Sequence, residues 1–72
     1  MFMLRTTAKG NTRYYELDLQ KTLFEDFLVE RRYGNIRYKS HTGLKMNYFQ
    51  SEVEAKSFFE RILRAKQRKG YR

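Results

Sequence analysis

The sequence predicts an α+β domain: a small antiparallel sheet of about five strands, with one α-helix from the second half of the chain packed on one face. Three observations carry that expectation. Apolar and polar residues alternate along residues 12–20, the period of a half-buried strand. Short β-prone runs are separated by Lys9-Gly10-Asn11, Gly34-Asn35 and His41-Thr42-Gly43, which read as turns. After Ser51 the apolar spacing changes to that of a helix.

Residues 3–8 are few, partly β-branched and followed by a turn signal, so they read as an edge strand. Within 12–20, Tyr15, Leu17 and Leu19 share one face, while Tyr14, Glu16 and Asp18 share the other. Residues 23–33 continue in β-friendly types, with Phe24, Phe27, Val29 and Tyr33 among them. Gly34-Asn35 can supply positive φ for a tight reversal, which makes 36–39 a returning strand. Residues 44–49 form the last strand, with Leu44, Met46 and Tyr48 opposing Lys45, Asn47 and Phe49.

Ser51-Glu52-Val53-Glu54 has the form of a capping box, so a helix starts there. Ala55, Phe58, Phe59, Ile62 and Leu63 fall on one of its faces, and Lys56, Glu60, Arg61, Arg64 and Arg68 on the other. Glu52 with Lys56 and Glu60 with Arg64 are four-apart pairs in the favourable order. The helix is expected to stop near Lys69, because Gly70 readily takes the left-handed conformation, and Tyr71 is then free to fold back onto the body.

A chain of 72 residues makes one domain, 1–72, and buries only roughly 60% of its surface on folding, which leaves little room for a deep catalytic cleft. The absence of cysteine removes disulfides, thiolate metal sites and thiol nucleophiles. His41 stands alone, without partners for a metal site. Glu25 and Asp26 are neighbours and point apart rather than converging on a substrate. No Gly-rich phosphate loop and no Ser-His-Asp set is present, so neither an enzyme, a cofactor, a metal nor a small-molecule substrate is expected. The apolar run at the N-terminus ends at Arg5, far short of a signal or membrane segment, and the expectation is a soluble cytoplasmic protein.

The charge balance is more informative. Sixteen Lys and Arg against eight Asp and Glu give a net charge of +8 and a pI near 10.1. With six tyrosines and six phenylalanines, this composition favours an anionic partner and has the ingredients of a nucleic-acid surface. Beyond Glu60 the chain carries Arg61, Arg64, Lys66, Arg68, Lys69 and Arg72 with no acid, part of which complements the helix dipole.

Asn11-Thr12-Arg13-Tyr14-Tyr15-Glu16-Leu17, Phe49-Gln50-Ser51-Glu52-Val53-Glu54-Ala55 and the basic run of residues 64–72 closing in Gly70-Tyr71, taken together, resemble the WGR domain of poly(ADP-ribose) polymerases, of a bacterial molybdate-metabolism regulator and of small stand-alone bacterial proteins. Residues 11–17, Asn-Thr-Arg-Tyr-Tyr-Glu-Leu, look like the family's opening strand, and Leu23-Phe24-Glu25-Asp26-Phe27 like its Leu-Phe-Gly-x-Trp segment. Arg31-Arg32-Tyr33-Gly34-Asn35-Ile36 stands at the naming motif, with Tyr33 at the tryptophan and Asn35 at the arginine. Residues 49–55 resemble the Phe-x-Ser-x-x-Glu-Ala helix start, and residues 64–72 the basic helix end closing in Gly-Tyr. Glu25 and Phe27 depart at the Gly and Trp positions, and Arg37 stands where the family often has Gly. The resemblance implies a non-catalytic module that binds DNA, at ends or breaks in the polymerases, where the tryptophan packs on a sugar. Tyr33 keeps a ring for such stacking, whereas Asn35 cannot replace a guanidinium fork.

The resulting candidate site is Arg31, Arg32, Tyr33, Gly34, Asn35, Arg37, Lys39 and Lys45, with the cations on phosphates and Tyr33 stacking. Each feature also has a plainer reading. The cations suit solvated strand positions, Tyr33 suits a core or rim position, and the basic surface suits an acidic protein partner or RNA as well as DNA.

Overall fold

The computed structural model describes residues 1–38 and 40–72. Strands β1 (Phe2–Thr6), β2 (Thr12–Lys21), β3 (Phe27–Asn35) and β4 (Gly43–Phe49) form one antiparallel sheet in the order β1-β2-β3-β4. Helix α1 (Glu52–Arg68) packs against β2, β3 and β4. Among the described residues, no helix is long and apolar enough to cross a membrane.

Alternation in β2 decides which face the helix covers. Tyr15 and Leu17 are buried, and across the sheet they share a face with Met3 of β1 and Val29 of β3. The helix adds Ala55, and the chain end adds Tyr71, to complete the core. Phe49, Phe58, Phe59, Ile62 and Leu63 surround it, in keeping with the helical stripe read from the sequence.

Helix α1 is delimited as its caps dictate. Ser51 is extended, and its Oγ accepts from the Glu54 amide at 3.4 Å, which supplies one half of the capping box. At the other end the Gly70 amide donates to the Gln67 carbonyl at 3.0 Å and the Tyr71 amide to the Lys66 carbonyl at 3.1 Å, with Gly70 at φ 100°. These two bonds are the Schellman arrangement, and they turn Tyr71 back into the core. Arg72 then exchanges two backbone hydrogen bonds with Leu4, at 2.8 and 2.9 Å, and covers the outer edge of β1. Both four-apart pairs form: Lys56–Glu52 at 2.8 Å and Arg64–Glu60 at 3.5 Å.

Two expectations about the strands are corrected, and among the described residues the sheet has four strands rather than five. Residues 22–26 are a turn, not the start of a strand. The Thr22 amide donates to the Asp26 carbonyl, the Phe24 amide donates to Thr22 Oγ1, and the Thr22 hydroxyl bonds the Asp26 carboxylate. This local Thr and Asp chemistry prevails over the β propensity of Leu23 and Phe24, which stand 98% and 90% exposed. Gly34-Asn35 is not the reversal either: both residues lie inside β3, and Gly34 does not have positive φ. Gly34 is needed for close approach instead, since a Cβ there would lie 2.8 Å from Thr42 Oγ1 and 2.9 Å from the Thr42 amide nitrogen. The reversal falls between β3 and β4, and no strand forms at 36–38; Lys39 lies outside the described residues.

Glu25 occupies the left-handed region at φ 66°, at a position where the resembled segment has glycine. A side chain in that region costs roughly 1–2 kcal/mol, partly offset by the unfolded-chain entropy that glycine loses. Glu25→Gly is therefore expected to stabilise the domain by about 0.5–1 kcal/mol, read as a higher urea midpoint with an unchanged m-value. A lower midpoint would mean that the turn is not strained at Glu25.

Candidate nucleic-acid interface

The period of two that buries Tyr15 and Leu17 also decides which cations meet. Arg13 and Tyr15 share the helix-covered face of β2; their register partners on β3 are Asn35 and Tyr33. Arg31 on β3 is opposite Lys45 on β4, again on this face. Helix α1 covers only part of the face, and beyond its apolar stripe lies a cleft of about 270 Å³ lined by Arg13, Tyr15, Arg31, Tyr33, Lys45, Lys66 and Tyr71.

Aromatic contacts organise the cleft floor. The Tyr15 and Tyr33 rings stack at 5.5 Å with 7° between their planes, and Tyr71 meets Tyr15 edge-on at 5.8 Å. Tyr33 lies across Gly43, where an added Cβ would come within 2.2 Å of the phenol ring. Gly43→Ala should therefore drive the ring off its seat, destabilising the domain by roughly 1–3 kcal/mol. Loss of near-ultraviolet tyrosine dichroism would report the broken stack; an unchanged spectrum and midpoint would contradict this seating.

Arg31, Lys66 and Arg5 are held against neighbouring groups. Arg31 donates from Nη2 to Asn47 Oδ1 at 2.9 Å and lies 5.3 Å from the centroid of the Phe58 ring, with its Nε buried and unpartnered. Lys66 Nζ stands 4.6 Å from the Tyr15 ring centroid, and the Arg5 guanidinium 5.9 Å from that of Tyr71. Burial, followed by the positive charges of Lys69, Arg31, Lys45 and Arg5, holds the Lys66 ammonium below its ordinary value. Burial also raises the Tyr15 phenol, against the opposing hydrogen bond and charge of Arg31.

Carboxylates are kept elsewhere. On the open face, Arg32 contacts Glu16 and Asp18, each at 2.8 Å, and also Glu30. Among the described residues, Glu52 pairs with Lys56, Glu60 with Arg64 and Asp18 also with the N-terminal amine, so no ion pair neutralises Arg13, Arg31, Lys45 or Lys66. The same open face carries Phe2, Leu4, Leu44, Met46 and Tyr48, all exposed.

Of the residues expected from the sequence, Arg31, Tyr33 and Lys45 come together in the cleft, and Asn35 lies beside Arg13 in the register. Arg32 does not join them. It follows Arg31 on an extended strand, points to the opposite face and is held there by three carboxylates. Gly34 is buried inside β3, Arg37 is exposed in a turn just after β3, and Lys39 lies outside the described residues. Arg13, Tyr15, Lys66 and Tyr71 were not anticipated as site residues. Their signals were parity with Tyr33 across the register and, for Lys66, a place four residues after Ile62 on the apolar stripe.

Among the described residues, a four-stranded antiparallel sheet with one helix on one face and a tyrosine-floored cleft beyond it, lined by cations and no carboxylate, defines a small α+β module. The chain belongs to the WGR domain family, whose match spans residues 1–72. That family is non-catalytic, and in poly(ADP-ribose) polymerases its domain is a module of nucleic-acid-binding type. The chain is also similar to the uncharacterized protein y4dW of Sinorhizobium fredii (strain NBRC 101917 / NGR234), with 31% identity over 65 residues, 90% of this chain and 31% of that protein. It thus spans about a third of the length of that relative. No solved structure matches it.

Proposed function

We propose that this domain binds nucleic acid, DNA in particular, by seating the sugar-phosphate backbone in the basic cleft. The observation that carries the reading is the gathering of Arg13, Arg31, Lys45 and Lys66 around stacked tyrosines with no carboxylate in the lining. Such cations bind phosphate regardless of base identity and gain affinity from counterion release. Tyr33 presents its ring from the position of the family's stacking tryptophan, which favours an exposed sugar or base at an end or nick. Arg37, exposed after β3, and Lys39 are further candidates from the sequence.

Fluorescence anisotropy with blunt, nicked, overhanging and single-stranded DNA and matching RNA, at two salt concentrations, tests the reading. Binding should weaken steeply with salt, and Tyr33→Ala should reduce end or nick affinity by roughly tenfold, within the range of one lost stacking contact. Intact-duplex affinity should change much less. Equal losses on every substrate would remove the stacking role, tighter binding of RNA would reassign the ligand, and no binding at low salt would reject the reading.

A further inference from the structure

Lys66 differs from the exposed lysines of this chain. Its place on the apolar stripe lays the side-chain stem against the core and brings Nζ over the Tyr15 ring inside the cleft, where among the described residues it has no carboxylate partner. Lys56, by contrast, is exposed on the outer helix face and bound to Glu52, which raises its ammonium above the ordinary value. We propose that Lys66 is an acylation site for small acyl phosphates, whose phosphoryl group is held by the cationic cleft while the lysine Nζ attacks the acyl carbon.

This inference rests on the anion-binding reading of the cleft, and the chemistry is self-contained. The neutral amine supplies its lone pair to the acyl carbon, an N–C bond forms and the C–O bond to phosphorus breaks on the carbon side. Inorganic phosphate leaves with the bonding pair, and the surplus amine proton passes to phosphate or solvent. Two features favour Lys66 over its neighbours. Burial and the surrounding cations increase its neutral fraction, and Arg13 and Arg31 attract the phosphoryl anion without competing as nucleophiles, because guanidinium stays protonated. The product amide has no positive charge, so the modification would lower the affinity of the cleft for any polyanion.

The test exposes the full chain to acetyl phosphate and, in parallel, to the uncharged ester p-nitrophenyl acetate, with initial rates at each lysine measured by peptide mass spectrometry. With acetyl phosphate, Lys66 should lead Lys9, Lys21 and Lys56 by roughly tenfold, the low end of what a focused field does to local reagent concentration. That lead should shrink with the neutral ester, with excess inorganic phosphate and in folded Arg13→Gln. Equal rates at all lysines, or the same lead with both reagents, would overturn the proposal. DNA anisotropy on the unmodified protein separates the two readings. DNA binding without a Lys66 lead sinks this inference alone, and a lead without DNA binding sinks the nucleic-acid reading alone.

Discussion

Tyr71→Ala is expected to unfold most of the population at room temperature. Tyr71 is the third residue beyond the helix end, yet it is only 7% exposed and packs edge-on against Tyr15 in the centre of the core. Truncating a buried aromatic costs about 3–5 kcal/mol, and a single core of this size rarely supplies more than that. The backbone bonds between Arg72 and Leu4 would lose their anchor at the same time. Circular dichroism and urea titration read the outcome directly. Tyr71→Phe, which keeps the ring, should retain the fold, and a stable, cooperative Tyr71→Ala would show that the chain end is not part of the core.

The largest effect on binding is expected from Arg13→Glu combined with Lys45→Glu. These two residues line opposite strands of the cleft and form no ion pair within the described chain, so reversal leaves the core contacts intact. Two carboxylates facing phosphate should weaken duplex binding on the order of 100-fold at low salt, since like-charge juxtaposition costs several kcal/mol. Arg32→Gln is the matched control. It should leave affinity within about twofold while lowering the urea midpoint, because Glu16, Asp18 and Glu30 are left facing one another without a cation. The opposite pattern, with Arg32 dominating affinity and the cleft pair silent, would move the ligand to the open face.

How much of this was legible in the sequence depends on the range of the interaction involved. The helix limits were readable because Ser51, Glu54 and Gly70 act within a few residues of themselves. The faces of β2 were readable because a strand has period two. The same period would have separated Arg31 from Arg32, although their adjacency in sequence first suggested one patch. The start of β3 was obscured because Leu23 and Phe24 are β-prone, while the bonds between Thr22 and Asp26 hold them in a turn. The role of Gly34 was misread for a related reason: a glycine signals freedom in φ and close approach alike, and only the position of Thr42 distinguishes them.

The cleft itself depends on register, which no local pattern specifies. Tyr15 meets Tyr33, and Tyr33 meets Gly43, only because the β2–β3 and β3–β4 alignments bring them opposite one another. Lys66 was visible as part of a basic helix end, but its place on the apolar stripe separates it from Arg64 and Arg68, which face outward. Thus the composition favoured an anionic partner in general, while the assembled sheet decides which of the cations share a surface.

Titration of isotope-labelled protein with a short duplex, followed through backbone amide shifts, tests the central claim most directly. The perturbed amides are expected to cluster around Arg13, Tyr15, Tyr33, Lys45, Lys66 and Tyr71, with little change at Glu16, Asp18, Glu30 or Met46. Shifts centred on the open face around Arg32, or none at low salt, would contradict it.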